Sequence, residues 1–343
     1  MGVKHPPHIL MPGPTFPSVQ KTSEWHRVVH EAGVPDVNPL ESVLHPIAVD
    51  EGPCIPGAQH NPSVFVVDGE LHALVRVLHG RRTTNFVGRV SEDWTLPTAR
   101  RVNVVGVPPH ETPAEIEDLR IFSWRGGLWA IAAAHDGHNP PYAIRQALLE
   151  LSPDGAAIRG VHVQASARHE KNWMPAVLGD RLRLVYSVDP LVVLEMDGYR
   201  VRPEAKSIPQ TTGHLRGGSP LVPWQSGGQW LAIVHEVHRP RRTSANHNHL
   251  LTSFWPPVAP DPVAGLEPVV YLHRFAIFDA ELTTVRFSPP WYFKHVGIEF
   301  CPGLVAHGGR LIASFGVADK QAWLAEIALE TVAAFFHEPQ ETP

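Results

Sequence analysis

The chain of 343 residues contains only two cysteines, Cys54 and Cys301, and it lacks any CxxC pair. Two cysteines are too few for a disulfide framework, and they exclude a zinc site built on cysteine pairs. The N-terminus has no apolar core of signal-peptide length, and no run approaches the ~20 apolar residues of a membrane span. These absences predict a reduced, cytoplasmic protein without a membrane partner.

A basic face is missing as well. The net charge is -5, and the only basic cluster, Arg239, Arg241 and Arg242, is short and lies among prolines. Nucleic acids and anionic membranes require a basic surface, so neither is expected as a partner. The sequence also lacks a Gly-rich phosphate loop, a GxSxG elbow and an HExxH helix. The 22 histidines are scattered, and "NHNH" at 246–249 has no cysteine or carboxylate at ligand spacing, so no metal site is predicted.

Proline and glycine are abundant, with 35 and 27 residues, which favours many short elements over long helices. Five stretches share one layout: a polar opening, a short apolar strand, a glycine turn and a second apolar strand. The stretches begin at Asn61, Glu117, Glu170, Gly217 and Glu299. Their turn glycines are Gly69, Gly126, Gly179, Gly227 and Gly308. Glycine in such turns tolerates the positive φ of a tight hairpin.

A hairpin that recurs about every 50 residues is typical of β-propeller blades. Five repeats predict an all-β, five-bladed β-propeller over residues 51–335; a β-sandwich with coincidental spacing is the alternative. Residues 1–50 form an N-terminal extension, in which "ESVLHPIAVDE" could supply an outer strand that closes the ring. The C-terminal "KQAWLAEIALETVAAFF" fits either a third strand of the last blade or a short helix.

The layout predicts that one face of the propeller carries the chemistry. Each first strand runs away from its polar opening and the second runs back, so openings and second-strand ends meet around the axis, where a pocket is expected. The openings bring Asn61, Glu117, Asp118, Glu170, Lys171, Asn172, Arg216 and Glu299. The second-strand ends add Arg76, Tyr186, His235 and Asp319. The long segment 238–268 emerges at this face and is interpreted as either a lid or an oligomer contact.

The openings "EDLR", "EKNWMP", "RGGSP" and "IEFCPGL", with "SFGVAD" near the end, resemble the five-bladed propellers of glycoside hydrolase family 130. That family contains mannoside phosphorylases, mannosidases and related glycosyltransferases. Its Glu-Asp-Pro-Arg pattern corresponds here to Glu117-Asp118-Leu119-Arg120, with leucine in place of proline. The resemblance spans residues ~58–328 at the level of the repeat. It implies that Asp118 is the general acid.

Glycosidic cleavage requires a proton for the leaving oxygen and a nucleophile on the other face of the sugar. Glu299 is the candidate second catalytic carboxylate; its alternative is an anchor for the opening of blade five. Asp118 has a structural alternative, an ion pair with Arg120. Strand alternation predicts that only one of Glu117 and Asp118 reaches the pocket, with Arg120 on the same side as Asp118.

Arg76, Lys171, Arg216 and His235 form a candidate cationic group for a phosphate or a sugar-nucleotide diphosphate. Ion pairs between blades are the alternative. Inorganic phosphate is therefore a possible co-substrate, and no other cofactor is predicted. Trp173 and Tyr271 could form an apolar platform for a sugar ring, although aromatic residues between blades are often core. His273 is predicted to line the pocket, and Asp319 is either a substrate contact or structural.

Three functional hypotheses follow. The first is a carbohydrate-active enzyme that cleaves a β-linked, mannoside-like oligosaccharide with inversion, by hydrolysis or by phosphorolysis. The second is a glycosyltransferase that uses the same axial pocket. The third is a non-catalytic, sugar-binding propeller. Loss of turnover with retained ligand binding in an Asp118→Asn variant would separate the first two from the third.

Overall fold

A computed structural model describes most of the chain. The described residues are 29–34, 38–49, 57–80, 82–135, 144–165, 169–202, 214–225, 227–239 and 269–336. Within them, the strands form five separate antiparallel-rich sheets, and helix is confined to short pieces. The sheets are the blades of a five-bladed β-propeller, which confirms the predicted fold. None of the described helices has the length and apolar character needed to span a membrane.

The strands are numbered in chain order. The outer strand that precedes the first blade is β1 (Val43–Ile47). Blade one contains β2 (Ala58–Val67), β3 (Glu70–His79), β4 (Arg82–Arg89) and β5 (Arg100–Arg101). Blade two contains β6 (Asn103–Val104), β7 (Glu115–Trp124), β8 (Gly127–His135), β9 (Ile144–Leu151) and β10 (Ala157–Val163). In blade two, β6 lies at the outer edge and runs parallel to β10.

The remaining three blades repeat the same order from the axis outward. Blade three contains β11 (Met174–Leu178), β12 (Arg181–Val188), β13 (Leu191–Asp197) and β14 (Arg200–Val201). Blade four contains β15 (Leu215–Arg216), β16 (Val222–Trp224), β17 (Gln229–His238), β18 (Val270–Phe278) and β19 (Val285–Phe287). Blade five contains β20 (Glu299–His307), β21 (Arg310–Val317) and β22 (Gln321–Ile327), followed by helix α1 (Leu329–Ala334). The C-terminal segment therefore provides both a strand and a short helix.

The ring is closed by a strand from the N-terminal extension. β1 pairs antiparallel with β22 and forms the outer edge of blade five. His45 of β1 stacks on Trp94 of the connection that follows β4, with ring centroids 4.0 Å apart, and its Nε2 lies 2.8 Å from Glu326 Oε1. This pairing joins the first described strand to the last. The domain boundary at residue 50 itself stays a prediction.

The conformation of the hairpin turns depends on their glycines. The two-residue turns Asp68-Gly69, Arg125-Gly126 and Gly308-Gly309 have positive φ at both positions. This conformation matches the twist of paired strands but disfavours residues with a Cβ, so glycine recurs there. The recurring glycines thus mark the ends of the inner hairpins, as the spacing predicted.

Most of the apolar core lies between neighbouring blades. Between blades one and two, for example, Phe65 and Leu74 pack in one cluster with Ile121 and Leu149, all almost fully buried. A single hairpin cannot bury both of its faces by itself, so each blade buries them against the two neighbouring blades.

Near the axis, the backbones of neighbouring blades approach too closely for a side chain. A Cβ on Gly316 of β21 would lie 2.1 Å from Asn61 Oδ1 and 2.7 Å from Asn61 N. Blade five and blade one therefore meet through the bare backbone of Gly316, which places the end of β21 beside the start of β2.

Gly316→Ala is expected to lower the free energy of unfolding by about 2 kcal/mol or more, because backbone atoms at the contact cannot yield as a flexible side chain would. Urea unfolding measures this change. Gly227→Ala is the matched control, since no atom lies within 4 Å of its Cβ and its φ is not positive. An equal stability of the two variants would contradict the close approach.

Candidate active site

Three residues at or just before the openings of inner strands lie in the left-handed region. Asn61, Asp118 and Asn172 have φ of 45°, 55° and 65°. In β2 and β7 these residues coincide with shifts of register, between His60 and Ser63 and between Glu117 and Arg120. Such bulges re-aim side chains, and they recur here at the axial mouth of the blades.

The bulge in β7 corrects one prediction. Strand alternation predicted that only one of Glu117 and Asp118 reaches the pocket, but both contact Arg76 of β3. Arg76 Nη1 donates to Asp118 Oδ1 at 3.1 Å, and Arg76 Nη2 contacts Glu117 Oε2. The extra residue of the bulge breaks the alternation, so both carboxylates face one guanidinium. Asn61 Nδ2 donates to the same Asp118 oxygen at 3.0 Å.

Glu117 is the centre of a buried ionic cluster. Besides Arg76, it contacts His135 Nε2 at 2.8 Å and Lys171 Nζ at 3.0 Å. Burial alone would raise the pKa of Glu117, but the His135 hydrogen bond and the charges of Arg76 and Lys171 outweigh it, so the pKa lies well below its usual range. Glu117 therefore holds blades one, two and three together as an anion.

Glu117→Gln is expected to destabilise the protein by roughly 3 kcal/mol near neutral pH, since it leaves Arg76 and Lys171 without their buried partner. The lowered folded-state pKa makes this contribution complete above the ordinary glutamate pKa of 4.5 and lost as pH falls below it. Urea unfolding of the wild type and of Glu117→Gln is measured from pH 7 to pH 3. The difference between their free energies of unfolding should become smaller below about pH 4.5. A difference in free energy of unfolding that stays constant over this pH range would contradict the ionised state of Glu117.

Arg120 is placed differently from the prediction that it binds substrate. Its side chain is fully buried, and it donates to the Gly218 carbonyl, to the Asp118 carbonyl at 3.1 Å and to Asn172 Oδ1 at 2.9 Å. Burial lowers the pKa of Arg120 to about 10, so it stays charged at neutral pH. Arg120 joins the mouths of blades two, three and four and is out of reach of a ligand.

Asp319 enters the same face from blade five. It follows β21, whose Gly316 touches Asn61, and it has a φ of 53° at a residue that is exposed as a whole. Many protein atoms nevertheless lie around its carboxyl group. Burial raises the pKa of Asp319, and the negative charges of Asp118 and Glu117 add to this effect against His60 and Arg76. Asp118 and Asp319 are thus two interacting carboxyls at one axial site.

Tyr271 of β18 extends this group into blade four. It is half-buried, its hydroxyl is hydrogen-bonded to Arg239, and it interacts electrostatically with Asp319 and Lys171. Burial raises the pKa of Tyr271. We use the name axial cluster for Asn61, Arg76, Glu117, Asp118, Lys171, Asp319, Tyr271 and Arg239 together with His60 and His135.

Sequence reasoning missed three members of the axial cluster. His135 ends β8 just as Arg76 lies near the end of β3, so its repeat position could have revealed it. His60 directly precedes Asn61 and is buried. Arg239 was noted only as part of a short basic cluster, yet it follows β17 and reaches Tyr271.

Several other predicted ligand contacts lie in the protein interior. Trp173 is 4% exposed in a cluster between blades two and three, so it cannot offer a ring face to a sugar. Its Nε1 donates to buried Glu170, 3.4 Å away, and the Tyr186 hydroxyl lies 3.5 Å from the same carboxylate. Asn172 accepts from Arg120. These contacts brace blade three.

The two histidines of blade four are also corrected. His273 is fully buried against Trp291 and Phe293, and burial lowers its pKa to about 3. It does not line the pocket. Burial and the neighbouring His273 keep the pKa of His235 well below its ordinary value, so His235 is neutral and not a member of a cationic group. Arg216 is exposed at the mouth of blade four.

Glu299 takes the anchoring role that was its alternative. Its carboxylate is completely buried and accepts hydrogen bonds from the backbone N–H groups of Phe293, Lys294 and His295, at 2.8–2.9 Å. Burial raises the pKa of Glu299 to about 7 against the effect of these bonds. Because all its contacts fix the segment before β20, Glu299 is not carried forward as a catalytic carboxylate.

Residues 240–268, which contain most of the segment interpreted as a lid or oligomer contact, lie outside the described residues. Among the residues that the structure describes, no group of three or more His, Cys, Asp or Glu side chains is arranged to hold a metal ion.

No protein-family model matches the sequence, and no curated protein matches it significantly. Solved structures do share the fold. MPT-4, a mannose phosphorylase from Leishmania mexicana in complex with phosphate ion, has a TM-score of 0.55 at 15% identity, covering 88% of this chain and 91% of its own. A β-1,2-mannobiose phosphorylase from Listeria innocua, in complex with β-1,2-mannobiose, has a TM-score of 0.51 at 14% identity, covering 87% and 94%.

MPT-1, a GDP-Man-dependent mannosyltransferase from Leishmania mexicana, has a TM-score of 0.51 at 14% identity, over 88% of this chain and 93% of its own. Likeness at such low identity shows a common fold, and the chemistry has to be argued from the site. The resemblance predicted from the polar openings is thereby confirmed at the level of the five-bladed propeller.

Proposed function

We propose that this protein is a carbohydrate-active enzyme that cleaves a β-linked, mannoside-like glycoside with inversion in the axial cluster. The observation that carries the proposal is the meeting of two carboxyls, Asp118 and Asp319, with the cations Arg76, Lys171 and Arg239 at one end of the propeller axis. Paired carboxyls supply the proton-transfer chemistry of glycoside cleavage. The fold shared with a mannose phosphorylase and a β-1,2-mannobiose phosphorylase supports this choice of substrate class.

The cations favour phosphorolysis over hydrolysis. Lys171 has 38% of its side chain exposed, so it can reach a ligand while it contacts Glu117. Arg239 lies beside the Tyr271 hydroxyl on the same face. Two accessible cations and a phenol are suited to hold a phosphate, which would then attack the anomeric carbon in place of water.

A glycosyltransferase is the second candidate, because a GDP-Man-dependent mannosyltransferase shares the fold at a similar TM-score. The same cations would then contact the diphosphate of a sugar nucleotide. This activity would use the axial cluster in the synthetic direction, with the two carboxyls assisting an acceptor hydroxyl.

The test is an incubation of the purified protein with β-mannosides and β-glucosides, with and without inorganic phosphate. Free sugar and sugar 1-phosphate are the products to be quantified. Sugar 1-phosphate that forms only with phosphate is the expected result. Free sugar under both conditions would indicate hydrolysis. If neither forms and a sugar nucleotide is consumed instead, the transferase replaces the proposal; no turnover with any donor leaves the sugar-binding hypothesis.

A further inference from the structure

The same backbone irregularity recurs in three inner strands. In β2, β7 and β20, the pairing with the second strand of the hairpin shifts and then resumes at Ser63, Arg120 and Gly303. Each shift is a bulge that redirects the chain at the axial mouth of its blade. Blades one, two and five therefore carry a serine, an arginine and a glycine at one equivalent position. Of these three side chains, only that of Arg120 is long enough to reach past the adjacent blade.

The Arg120 guanidinium bonds to three blades at once. Its Nη1 donates to the Asp118 carbonyl of its own blade at 3.1 Å, and its Nη2 donates to Asn172 Oδ1 of blade three at 2.9 Å. Its Nε donates to the Gly218 carbonyl of blade four. Because the side chain is fully buried, these donors serve the protein and not a ligand, and the planar guanidinium fixes the direction of all three acceptors.

Glycines bring blade four close enough for this contact. A Cβ on Gly217 would lie 2.0 Å from the carbonyl oxygen of Asn172, and one on Gly218 would lie 2.1 Å from the carbonyl oxygen of Ile233. Arg120 and its acceptors therefore lie in closely packed backbone, where a shift of one acceptor displaces the next.

The place of Asp118 depends on the bond from Arg120. Asp118 is in the bulge of β7 and has a φ of 55°, a conformation that persists only where the surrounding structure fixes it. In a regular strand, Glu117 and Asp118 would point to opposite faces. The bond to the Asp118 carbonyl fixes the peptide plane that follows this residue. It thereby holds the bulge that brings the Asp118 carboxylate to Arg76.

The bond to Asn172 acts in the same way on blade three. Asn172 has a φ of 65° and directly follows Lys171. The Lys171 ammonium lies 3.0 Å from Glu117 Oε1 and interacts with the charge of Asp118. Holding Asn172 fixes the main chain from which the Lys171 side chain extends. One buried guanidinium thus holds the backbone of both Asp118 and Lys171.

Resting on the glycoside cleavage proposed above, with Asp118 as its proton donor, we propose that Arg120 is a positioning residue that places Asp118 and Lys171 for the reaction. As the bond between the anomeric carbon and the glycosidic oxygen breaks, its electron pair goes to that oxygen, which takes the Asp118 proton. An oxygen of hydrogen phosphate held by Lys171 forms the new bond to the anomeric carbon, and Asp118 regains a proton from solvent. A misplacement of about 1 Å in such a site costs on the order of 100-fold in rate.

The experiment compares Arg120→Lys with the wild type on two aryl derivatives of the glycoside that the wild type cleaves, at saturating phosphate and with both proteins folded. A lysine keeps the charge but lacks the planar fork that bonds three acceptors. A 4-methoxyphenolate needs a proton to leave, whereas a 2,4-dinitrophenolate does not. We expect kcat to fall by about 100-fold on the methoxyphenyl substrate and to stay within about tenfold of wild type on the dinitrophenyl substrate, with each KM within about threefold.

A purely structural role of Arg120 gives a different result, because a loss of folded protein lowers kcat on both substrates by the same factor. Equal losses on the two substrates, or no loss on either, would overturn the inference. Arg89→Lys is the matched control, since Arg89 is an exposed arginine of blade one that pairs with Glu70 outside the axial cluster. Its kinetics should equal those of the wild type.

Asn172→Gly tests the contact to blade three and keeps the inference testable if Arg120→Lys does not fold. Glycine tolerates the left-handed conformation but removes the oxygen that accepts from Arg120. The KM for phosphate should rise by about tenfold in this variant, because Lys171 loses its fixed position. A wild-type KM for phosphate in folded Asn172→Gly would contradict the placing of Lys171 by Arg120.

Crystal structures of the wild type and of Arg120→Lys provide a readout without turnover. In the variant we expect the Asp118 carboxylate to move by about 1 Å or more away from Arg76. An unchanged bulge and an unchanged contact between Asp118 and Arg76 overturn the inference even if glycosides are cleaved. If the wild type cleaves no glycoside, the proposed function fails, and the position of Asp118 in the variant still decides whether Arg120 holds this backbone.

Discussion

Arg120→Met is expected to lower the free energy of unfolding by about 3 kcal/mol, because three buried or partly buried acceptors lose their donor and each unpaired acceptor costs roughly 1 kcal/mol or more. The acceptors are the carbonyls of Gly218 and Asp118 and the side-chain oxygen of Asn172. They belong to three different blades, so the substitution removes contacts that join these blades around the axis. Urea unfolding at an unchanged m-value measures it.

Arg89→Met is the matched control for Arg120→Met. Arg89 of blade one forms an ion pair with Glu70 in which 62% of its side chain is exposed, and such pairs contribute at most about 1 kcal/mol. If Arg120→Met is no more destabilising than the control, then Arg120 does not join the blades as described, and its place in a ligand site is open again.

The second large effect is expected on activity. Arg76→Met should reduce kcat/KM for the cleaved glycoside by about 100-fold or more, because its guanidinium is the contact that holds Glu117 and Asp118 as neighbouring anions. Without it, Glu117 and Asp118 lose the cation that holds both of them at the axial face. Steady-state kinetics measure this loss of kcat/KM.

Arg76→Lys is the informative comparison. A lysine retains one positive charge but lacks the planar fork that contacts two carboxylates at once, so an intermediate loss is expected. Activity of Arg76→Met within twofold of wild type, in protein shown to be folded, would contradict the role of this cluster in the chemistry.

The architecture could be predicted from the sequence because it depends on local and repeated signals. Asp68-Gly69 and Gly308-Gly309 are turn pairs that tolerate positive φ, and their regular recurrence identifies the blades. The strand at Val43–Ile47 was a harder inference, because it pairs with β22 at the other end of the chain. Only the requirement that the ring be closed suggested it.

The site was predicted less completely, since its geometry depends on backbone irregularities and on contacts between blades. Alternation along an ideal strand separates Glu117 from Asp118, whereas the bulge at Asp118 brings both to Arg76. No local pattern marks Arg120 as a buried link or Glu299 as an anchor of backbone N–H groups. Both roles require partners that are distant in sequence.

The most direct test of the central claim is a crystal structure of the double variant Asp118→Asn/Asp319→Asn with the β-mannoside and inorganic phosphate. Removing both carboxyls should trap the ligands whichever of the two is the acid. The account predicts the sugar at the axial face, with its glycosidic oxygen beside residues 118 and 319 and the phosphate against Lys171 and Arg239. A sugar bound elsewhere on the propeller, or an empty axial cluster at saturating ligand, would contradict it.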